Sequence, residues 1–299
     1  FLVASSFNRD ISAWTTSSMT SATRMFDQAS VFNQPIGSWD VSNVQSMFRM
    51  FSFATQFNQD LSSWQTSNVN SLSGTFAVSG FNNDISTWDV SKVIDFSYLF
   101  YETSFDSLIK DWDTGSGKFF VDMFSFSTFN QDISAWNMRS AVDISKMFQD
   151  CPFNQDISNW NTSEVVRMRQ AFFDNREFNQ DISGWNTSKV VNMIGLFGDG
   201  LKFNQDLSSW DVSGVQDFSY AFFDAFDFNQ DLSAWNVSSG ISFSYMFNNA
   251  ASFNQDLCSW YNLIDSGAGV SDMFIGTMCE NTADPDFVSG AAFCAVCEI

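Results

Sequence analysis

Large apolar residues return along the chain at a fixed interval and are separated by polar stretches. Variants of the phrase Phe-Asn-Gln-Asp-Ile-Ser-x-Trp occur eleven times, at spacings of 24 or 25 residues. With its Phe counted as position 0, Ile or Leu stands at position 4, Trp at position 7 and a second Phe at position 19. Such self-similarity is typical of a repeat protein whose units stack on one another. The leading residues are Phe7, Phe32, Phe57, Phe81, Phe105, Phe129, Phe153, Phe178, Phe203, Phe228 and Phe253.

The polar positions within a repeat predict how one coil is built. Positions 3–7 alternate between polar and apolar residues, which indicates a short extended strand. Positions 8–11 are rich in Asp, Asn and Ser, which form corners through local hydrogen bonds. Positions 12–19 fit either a second short strand followed by a helical turn or a short helix throughout, and their spacing does not decide between the two.

One coil cannot fold alone, because its apolar side chains contribute on the order of 10–18 kcal/mol and ordering its residues costs more. Stacked coils share their Phe, Trp and Ile contacts. We therefore predict a solenoid of eleven coils, roughly 50 Å long if the coils are spaced like paired strands.

The repeat pattern also predicts the domain boundaries. Phe1 precedes Phe7 by the same interval that separates a position-19 Phe from the next leading Phe. We expect residues 1–275 to be a repeat array that is truncated at its N-terminal end. The repeat decays after that, so residues 276–299 are expected to form a Cys-containing C-terminal cap, which a solenoid needs to cover its last coil.

The Trp residues occupy a single repeat position and account for every Trp in the chain. An exposed Trp column is one form of carbohydrate platform. A periodic aromatic close to an inward Ile or Leu is more typical of a core, and we favour the core. The predicted ladder consists of Trp14, Trp39, Trp64, Trp88, Trp112, Trp136, Trp160, Trp185, Trp210, Trp235 and Trp260.

Composition excludes several classes of function. The chain has 13 Lys and Arg against 34 Asp and Glu, a net charge of −21, which disfavours nucleic acid and anionic lipid as partners. Histidine is absent, which removes the commonest general base and metal ligand. No apolar run is long enough for a membrane span. We expect no catalytic residues, no cofactor and no enzymatic activity.

Asp recurs at position 3 in nine repeats and admits two explanations. In the first, which we favour, each carboxylate accepts hydrogen bonds from backbone amides at its corner. The alternative is Ca²⁺ bound between adjacent coils, although no Asp-x-Asp-x-Asp-Gly loop is present. The candidates for such calcium sites are Asp132, Asp156, Asp181, Asp206 and Asp231.

Two further sets of residues suggest covalent modification. Three Asn-x-Ser/Thr sequons occupy one repeat position, at Asn161, Asn186 and Asn236, and are candidate glycosylation sites in a eukaryotic secretory pathway. Four cysteines cluster near the C-terminus, and we expect two disulfides in preference to a zinc site. They are Cys258, Cys279, Cys294 and Cys297.

The repeat resembles a known family. The run from Trp39 to Phe48, Trp-Asp-Val-Ser-Asn-Val-Gln-Ser-Met-Phe, followed by Phe57-Asn-Gln-Asp-Leu-Ser-Ser-Trp64, is similar to the BspA-like surface-protein repeat of mycoplasma lipoproteins and marine protists. The resemblance extends over nearly the whole chain, although Leu108 replaces the usual Asp in the fifth repeat. It implies a right-handed, leucine-rich-repeat-like solenoid located outside the cell, with adhesive or surface roles and no catalytic residues.

Two functions are consistent with these observations. The first, which the sequence favours slightly, is a structural subunit of a cell-surface fibre, sheath or appendage, in which solenoids associate end to end. The second is a monomeric adhesin that binds a surface protein or a glycan. Both predict an extracellular or cell-surface protein.

Overall fold

The computed structural model describes residues 1–287, 293–295 and 297, and the chain divides into two compact units, Phe1–Ala141 and Val142–Ile299. Both units are built from the predicted repeats, so the prediction of a repeat protein is confirmed. The boundary expected between residues 275 and 276 stays a prediction. Residues 288–292, 296 and 298–299 of the expected cap lie outside the described part of the chain.

Successive repeats of the first unit are joined at position 14 by parallel bridges between single residues. Ser21 pairs with Ser46, Ser46 with Ser71, Ser71 with Asp95, and Asp95 with Phe119. Each bridge joins residues 24 or 25 positions apart, so adjacent repeats are in register. The departure of the fifth repeat from the sequence pattern does not interrupt this pairing.

The second unit repeats the arrangement at position 14, except that the bridge residue of the last repeat, Gly269, stands at position 16. An additional antiparallel bridge joins Asn281 and Cys294 in the C-terminal region. The parallel bridges link, in order, Asp143, Arg167, Asn192, Asp217, Ser242 and Gly269. No helix in the described part of the chain has the length and apolar character to cross a membrane.

The strand expected at positions 3–7 is wrong, because this segment forms a turn. In the second repeat the Trp39 amide donates to the Ile36 carbonyl at 3.0 Å, which closes the turn and points both side chains inward. The Asp at position 3 promotes the turn, since its carboxylate accepts the amide two residues later, as Asp60 does from Ser62. The second strand is reduced to the single bridge residue at position 14.

The expected helical turn is also wrong, because the backbone at positions 17 and 21 has positive φ in both units. Tyr98 has a φ of 58° and Val78 a φ of 55°, in a region that bulky and β-branched residues rarely adopt. The hydrogen bonds explain this conformation. The Arg49 amide donates to the next repeat at Ser73, whereas the amide of the following residue, Met50, donates back within its own repeat. Within the described residues, the one regular element is a 3-10 helix, Cys258–Trp260.

Stacked aromatic rings fill the core of each unit. In the first unit, Phe26 lies 3.9 Å from Phe32 and 5.6 Å from Phe51, measured between ring centroids. The second unit has the same geometry, with Phe222 4.0 Å from Phe228 and 5.4 Å from Phe247. Each repeat therefore covers the aromatic face of its neighbour, which a single repeat cannot do for itself.

Polar side chains form a second ladder at the corner that begins each repeat. The side-chain oxygen of Asn33 accepts the amide of Asn58 at 3.0 Å, and Gln59 donates to both oxygens of Asn33. In the second unit Asn204 accepts from Asn229 in the same way. The Asn side chain at position 1 thus accepts a backbone amide of the next repeat in both units. These bonds fix the register between neighbouring repeats.

Candidate functional site

A groove of about 330 Å³ opens on the surface of the first unit. It lies across the second, third and fourth repeats and is lined by residues at positions 16, 17, 20 and 21. The residues that define this aromatic groove are Phe48, Arg49, Phe53, Gly74, Tyr98 and Tyr101.

The groove exists because small residues stand between large ones. Position 17 is Arg49 in the second repeat, Gly74 in the third and Tyr98 in the fourth. Position 20 is occupied by Ala77 in the third repeat, whereas the fourth has Tyr101. The third repeat therefore forms a low floor between two higher walls.

The walls expose aromatic surface that the core does not use. Phe53 and Tyr98 are each 43% exposed and Phe48 is 39% exposed, although their neighbours along the chain are buried. Phe53 and Tyr98 both have a positive φ. With this backbone conformation their amides donate to the next repeat while their side chains face the solvent. Concave, mostly apolar surfaces with a few polar groups are typical of binding sites.

One wall of the groove carries an unbalanced positive charge. The buried carboxylate of Asp27 accepts a hydrogen bond from Arg24 Nε at 2.7 Å. Arg49 Nε lies 3.4 Å from the same oxygen, and neither this Nε nor the second Asp27 oxygen has a hydrogen-bond partner. Two guanidinium groups thus share one carboxylate, which leaves a net charge of about +1 at this wall.

The opposite wall is negative. Burial raises the pKa of the Tyr101 hydroxyl, and the charges of Glu102 and Asp122 raise it further. Tyr101 also packs edge to face against Tyr98, with ring centroids 5.8 Å apart. The groove is therefore polarised from Arg49 to Glu102.

The structure places the Trp residues mostly in the core. Ten of the eleven are buried, and in each unit the indole N–H donates to the position-4 carbonyl of the preceding repeat, as Trp64 does to Ile36 and Trp210 to Ile182. Trp14 is the exception to the predicted ladder, since it is 51% exposed. Trp39 stacks on one side of it at 6.3 Å, and only six described residues precede its repeat.

The position-3 Asp residues all have the same backbone partner. In nine repeats the carboxylate accepts the amide two residues later at 2.8–2.9 Å. Hydrogen bonds from the hydroxyl and the amide of Ser183 lower the pKa of Asp181. Lys110 lowers the pKa of Asp132 to about 2.

The calcium hypothesis requires several carboxylates to converge. Among the described residues no group of three acidic, Cys or His side chains is placed to hold a metal ion. The structure does not bring the five candidates, Asp132, Asp156, Asp181, Asp206 and Asp231, together with further acidic ligands. Calcium binding stays a prediction.

A different acidic column lies at position 21 of the second unit. Burial raises the pKa of Asp199 to about 6, and the charges of Asp224 and Asp174 raise it further, while Arg176 opposes them. Arg176 itself pairs with Asp174 at 2.8 Å. Among the described residues, Asp199 is the carboxyl group for which a raised pKa is found.

The three sequons lie on exposed corners. Asn161, Asn186 and Asn236 are exposed, and the side-chain oxygen of each accepts the amide of the Ser two residues later. Their modification stays a prediction.

The predicted disulfides are confirmed. Cys258 pairs with Cys297, and Cys279 with Cys294, all within the second unit. Cys151 is buried and belongs to neither pair. The Cys258–Cys297 disulfide connects the last repeat to the segment that follows it, and the Cys279–Cys294 disulfide lies within that segment.

The aromatic groove was not predicted from the sequence. The signal was present as Phe48, Phe53 and Tyr98, large residues outside the periodic core positions, on either side of Gly74. The signal is weak because nothing in the spacing shows that these side chains face outward.

Comparison with family models gives one match, to the family described as "Mycoplasma protein of unknown function, DUF285". The match occurs three times in overlapping segments, over residues 1–80, 71–170 and 143–260, so it covers most of the chain. Neither the curated proteins nor the solved structures contain a match. The chain therefore belongs to the DUF285 family of repeat proteins.

Proposed function

We propose that this protein is a non-catalytic, extracellular binding module, an adhesin-like repeat scaffold that recognises a surface protein or a glycan through the aromatic groove. The observation that carries the proposal is the groove itself, a concave apolar surface on a scaffold whose repeats are locked by ladders of hydrogen bonds. A rigid scaffold lowers the entropy lost on binding, because the site is formed before the ligand arrives.

Location outside the cell is part of the proposal. Two disulfides favour an oxidising compartment, since such bonds rarely persist in the cytosol. The absence of histidine from the chain disfavours the commonest acid–base catalysis. We further propose that the stacked repeats form the right-handed, leucine-rich-repeat-like solenoid of the BspA-like surface proteins, with glycans on the corner Asn residues.

The test is a binding screen in which the groove is filled. The purified protein is applied to arrays of extracellular matrix proteins, peptides and glycans, in parallel with Gly74→Gln. Gln is tolerated at this position because Gln170 occupies it in another repeat with a φ of 55°. Gly195→Gln is the matched control, since Gly195 has the same repeat position and a φ of 58° in the second unit.

Binding that Gly74→Gln abolishes and Gly195→Gln preserves would support the proposal. Ligands retained equally by both variants would refute the role of the groove. End-to-end assembly into a fibre, which the sequence favoured, stays a separate prediction. Electron microscopy of protein isolated from its native source tests it, because filaments would appear whether or not the groove is filled.

A further inference from the structure

The charge and shape of the aromatic groove indicate its ligand class. This inference rests on the proposed function and narrows it. We propose that the groove binds an acidic peptide segment that carries one large aromatic side chain, with the aromatic ring above Gly74 and an adjacent carboxylate on Arg49.

The volume of the groove fits a single large side chain. At about 330 Å³ it is at the small end of ligand pockets, and it holds one aromatic ring rather than an extended oligomer. Phe53 and Tyr98 stand on either side of the floor and offer ring surface to an inserted aromatic group. Aromatic pairs gain energy beyond the area they bury, so an aromatic anchor is favoured over an aliphatic one.

The chemistry of the walls argues against a sugar. A pyranose ring presents hydroxyl groups around its edge, and each needs a hydrogen-bond partner when it is buried. The groove is lined by Phe, Tyr, Val, Ala and Gly residues together with Arg49, Ser52 and Ser73, and the two serines are buried, so its accessible surface is mainly apolar. An apolar aromatic ring has no hydroxyl groups, so its burial in the groove leaves no hydrogen bond unmade.

Arg49 supplies the complementary charge. Its side chain is 34% exposed at the groove, and the buried Asp27 that it approaches is already bonded to Arg24. The guanidinium therefore keeps donors for a second carboxylate, which bidentate Arg–carboxylate pairing favours. Asp27 acts as a positioning residue that holds Arg49 at the wall.

The negative wall orients the ligand. Glu102 and Asp122 lie near Tyr101, so the acidic residue of the peptide must face Arg49 and the opposite end must be neutral or basic. The net charge of −21 slows the approach of an acidic peptide at low salt. At physiological ionic strength the Debye length is about 8 Å, so the Arg49 contact is affected much less than the long-range repulsion.

The experiment uses fluorescence anisotropy with a labelled decapeptide that has one central Phe flanked on one side by Asp and Glu. Matched peptides replace Phe by Ala, or the acidic residues by Lys. We expect the acidic Phe peptide to bind, and each matched peptide to lose about tenfold or more in affinity, since either loss removes a principal contact. Tighter binding of the Lys peptide would overturn the inference.

Variants of the protein separate the two contacts. Arg49→Met keeps the aliphatic stem and should weaken the acidic peptide about tenfold while leaving a neutral Phe peptide unchanged. Phe53→Ala should weaken both peptides, and because Phe53 is half-exposed its truncation leaves the fold intact. Equal loss of both peptides in Arg49→Met would contradict the assigned carboxylate contact.

Binding to the wild type and to Gly74→Gln distinguishes this inference from the proposed function. A glycan or a non-acidic protein that binds the wild type and is lost in Gly74→Gln would refute the peptide inference and leave the binding module standing. Failure of every ligand to respond to Gly74→Gln would refute both. Circular dichroism of each variant verifies that the repeats remain folded.

Discussion

The indole of Trp64 offers the sharpest test of how the repeats hold together. Its side chain is 2% exposed, its N–H donates to the Ile36 carbonyl of the preceding repeat at 3.2 Å, and its ring stacks on Trp88 at 6.1 Å. The substitution Trp64→Phe keeps an aromatic ring and removes the N–H. It therefore isolates the bond between repeats from most of the aromatic packing.

Two contributions determine how far Trp64→Phe lowers the free energy of unfolding. The Ile36 carbonyl keeps a second bond, from the Trp39 amide, so the lost hydrogen bond costs only about 0.5–1.5 kcal/mol. The smaller ring leaves a void of about 40 Å³, which adds about 1 kcal/mol at ~24 cal/mol per Å³. We expect Trp64→Phe to lower the free energy of unfolding by about 2 kcal/mol.

Trp14→Phe is the matched control, because Trp14 occupies the same repeat position but is 51% exposed. Its effect should stay within about 0.5 kcal/mol, as for most surface substitutions. Urea titrations followed by circular dichroism and by fluorescence measure both variants, and coincidence of the two signals tests whether unfolding is two-state. Equal destabilisation by the two substitutions would refute the argument, since it would show that the bond between repeats contributes nothing.

Four further predictions follow from the site and the disulfides. Because the pKa of Asp199 is raised to about 6, its contribution to stability is present at low pH and is lost as pH rises through 6. This loss begins near the ordinary value of 3.8, so stability should fall from pH 4 to pH 7 by about 1 kcal/mol, after the full linkage value of ~3 kcal/mol is reduced for solvent exposure. Asp199→Asn should remove this fall in thermal melts at a series of pH values. Reduction of the disulfides should destabilise the second unit by about 3 kcal/mol, measured as a lower unfolding midpoint in dithiothreitol; an unchanged midpoint would contradict the role of these links. EDTA should leave the unfolding midpoint unchanged, since each position-3 carboxylate already accepts a backbone amide, and a lowered midpoint would favour bound calcium. Expression through a eukaryotic secretory pathway should add glycans that peptide N-glycosidase removes, and conversion of all three Asn acceptors to Gln should abolish the mass difference. The acceptors are Asn161, Asn186 and Asn236.

Much of the repeat could be predicted from side-chain spacing alone. The inward positions 0, 4, 7 and 19 are buried in both units, apart from the first repeat, in which Trp14 is exposed. The disulfide-forming cysteines were also found, because they cluster where the repeat ends. These predictions succeeded because residues that are buried at a fixed interval are apolar, so their spacing can be read from the sequence.

The local conformation could not be predicted in the same way. Alternation at positions 3–7 resembles a strand, yet Asp60 turns the chain by accepting the amide of Ser62. Spacing at positions 12–19 resembles a helix, yet Arg49 adopts a φ of 52°. Asp favours such a turn, but the alternation of apolar residues suggested a strand, whereas Arg does not favour a positive φ and gave no local signal of it.

The sequence by itself determined the repeat length and the register of the core, because these depend only on which side chains must leave water. Only the tertiary structure decided the backbone path, the outward direction of positions 17 and 21, and hence the groove between Arg49 and Tyr101. The physical reason is that every second amide in this segment finds its acceptor in the neighbouring repeat. A residue's conformation there is set by a partner about 24 positions away, which no local pattern reports.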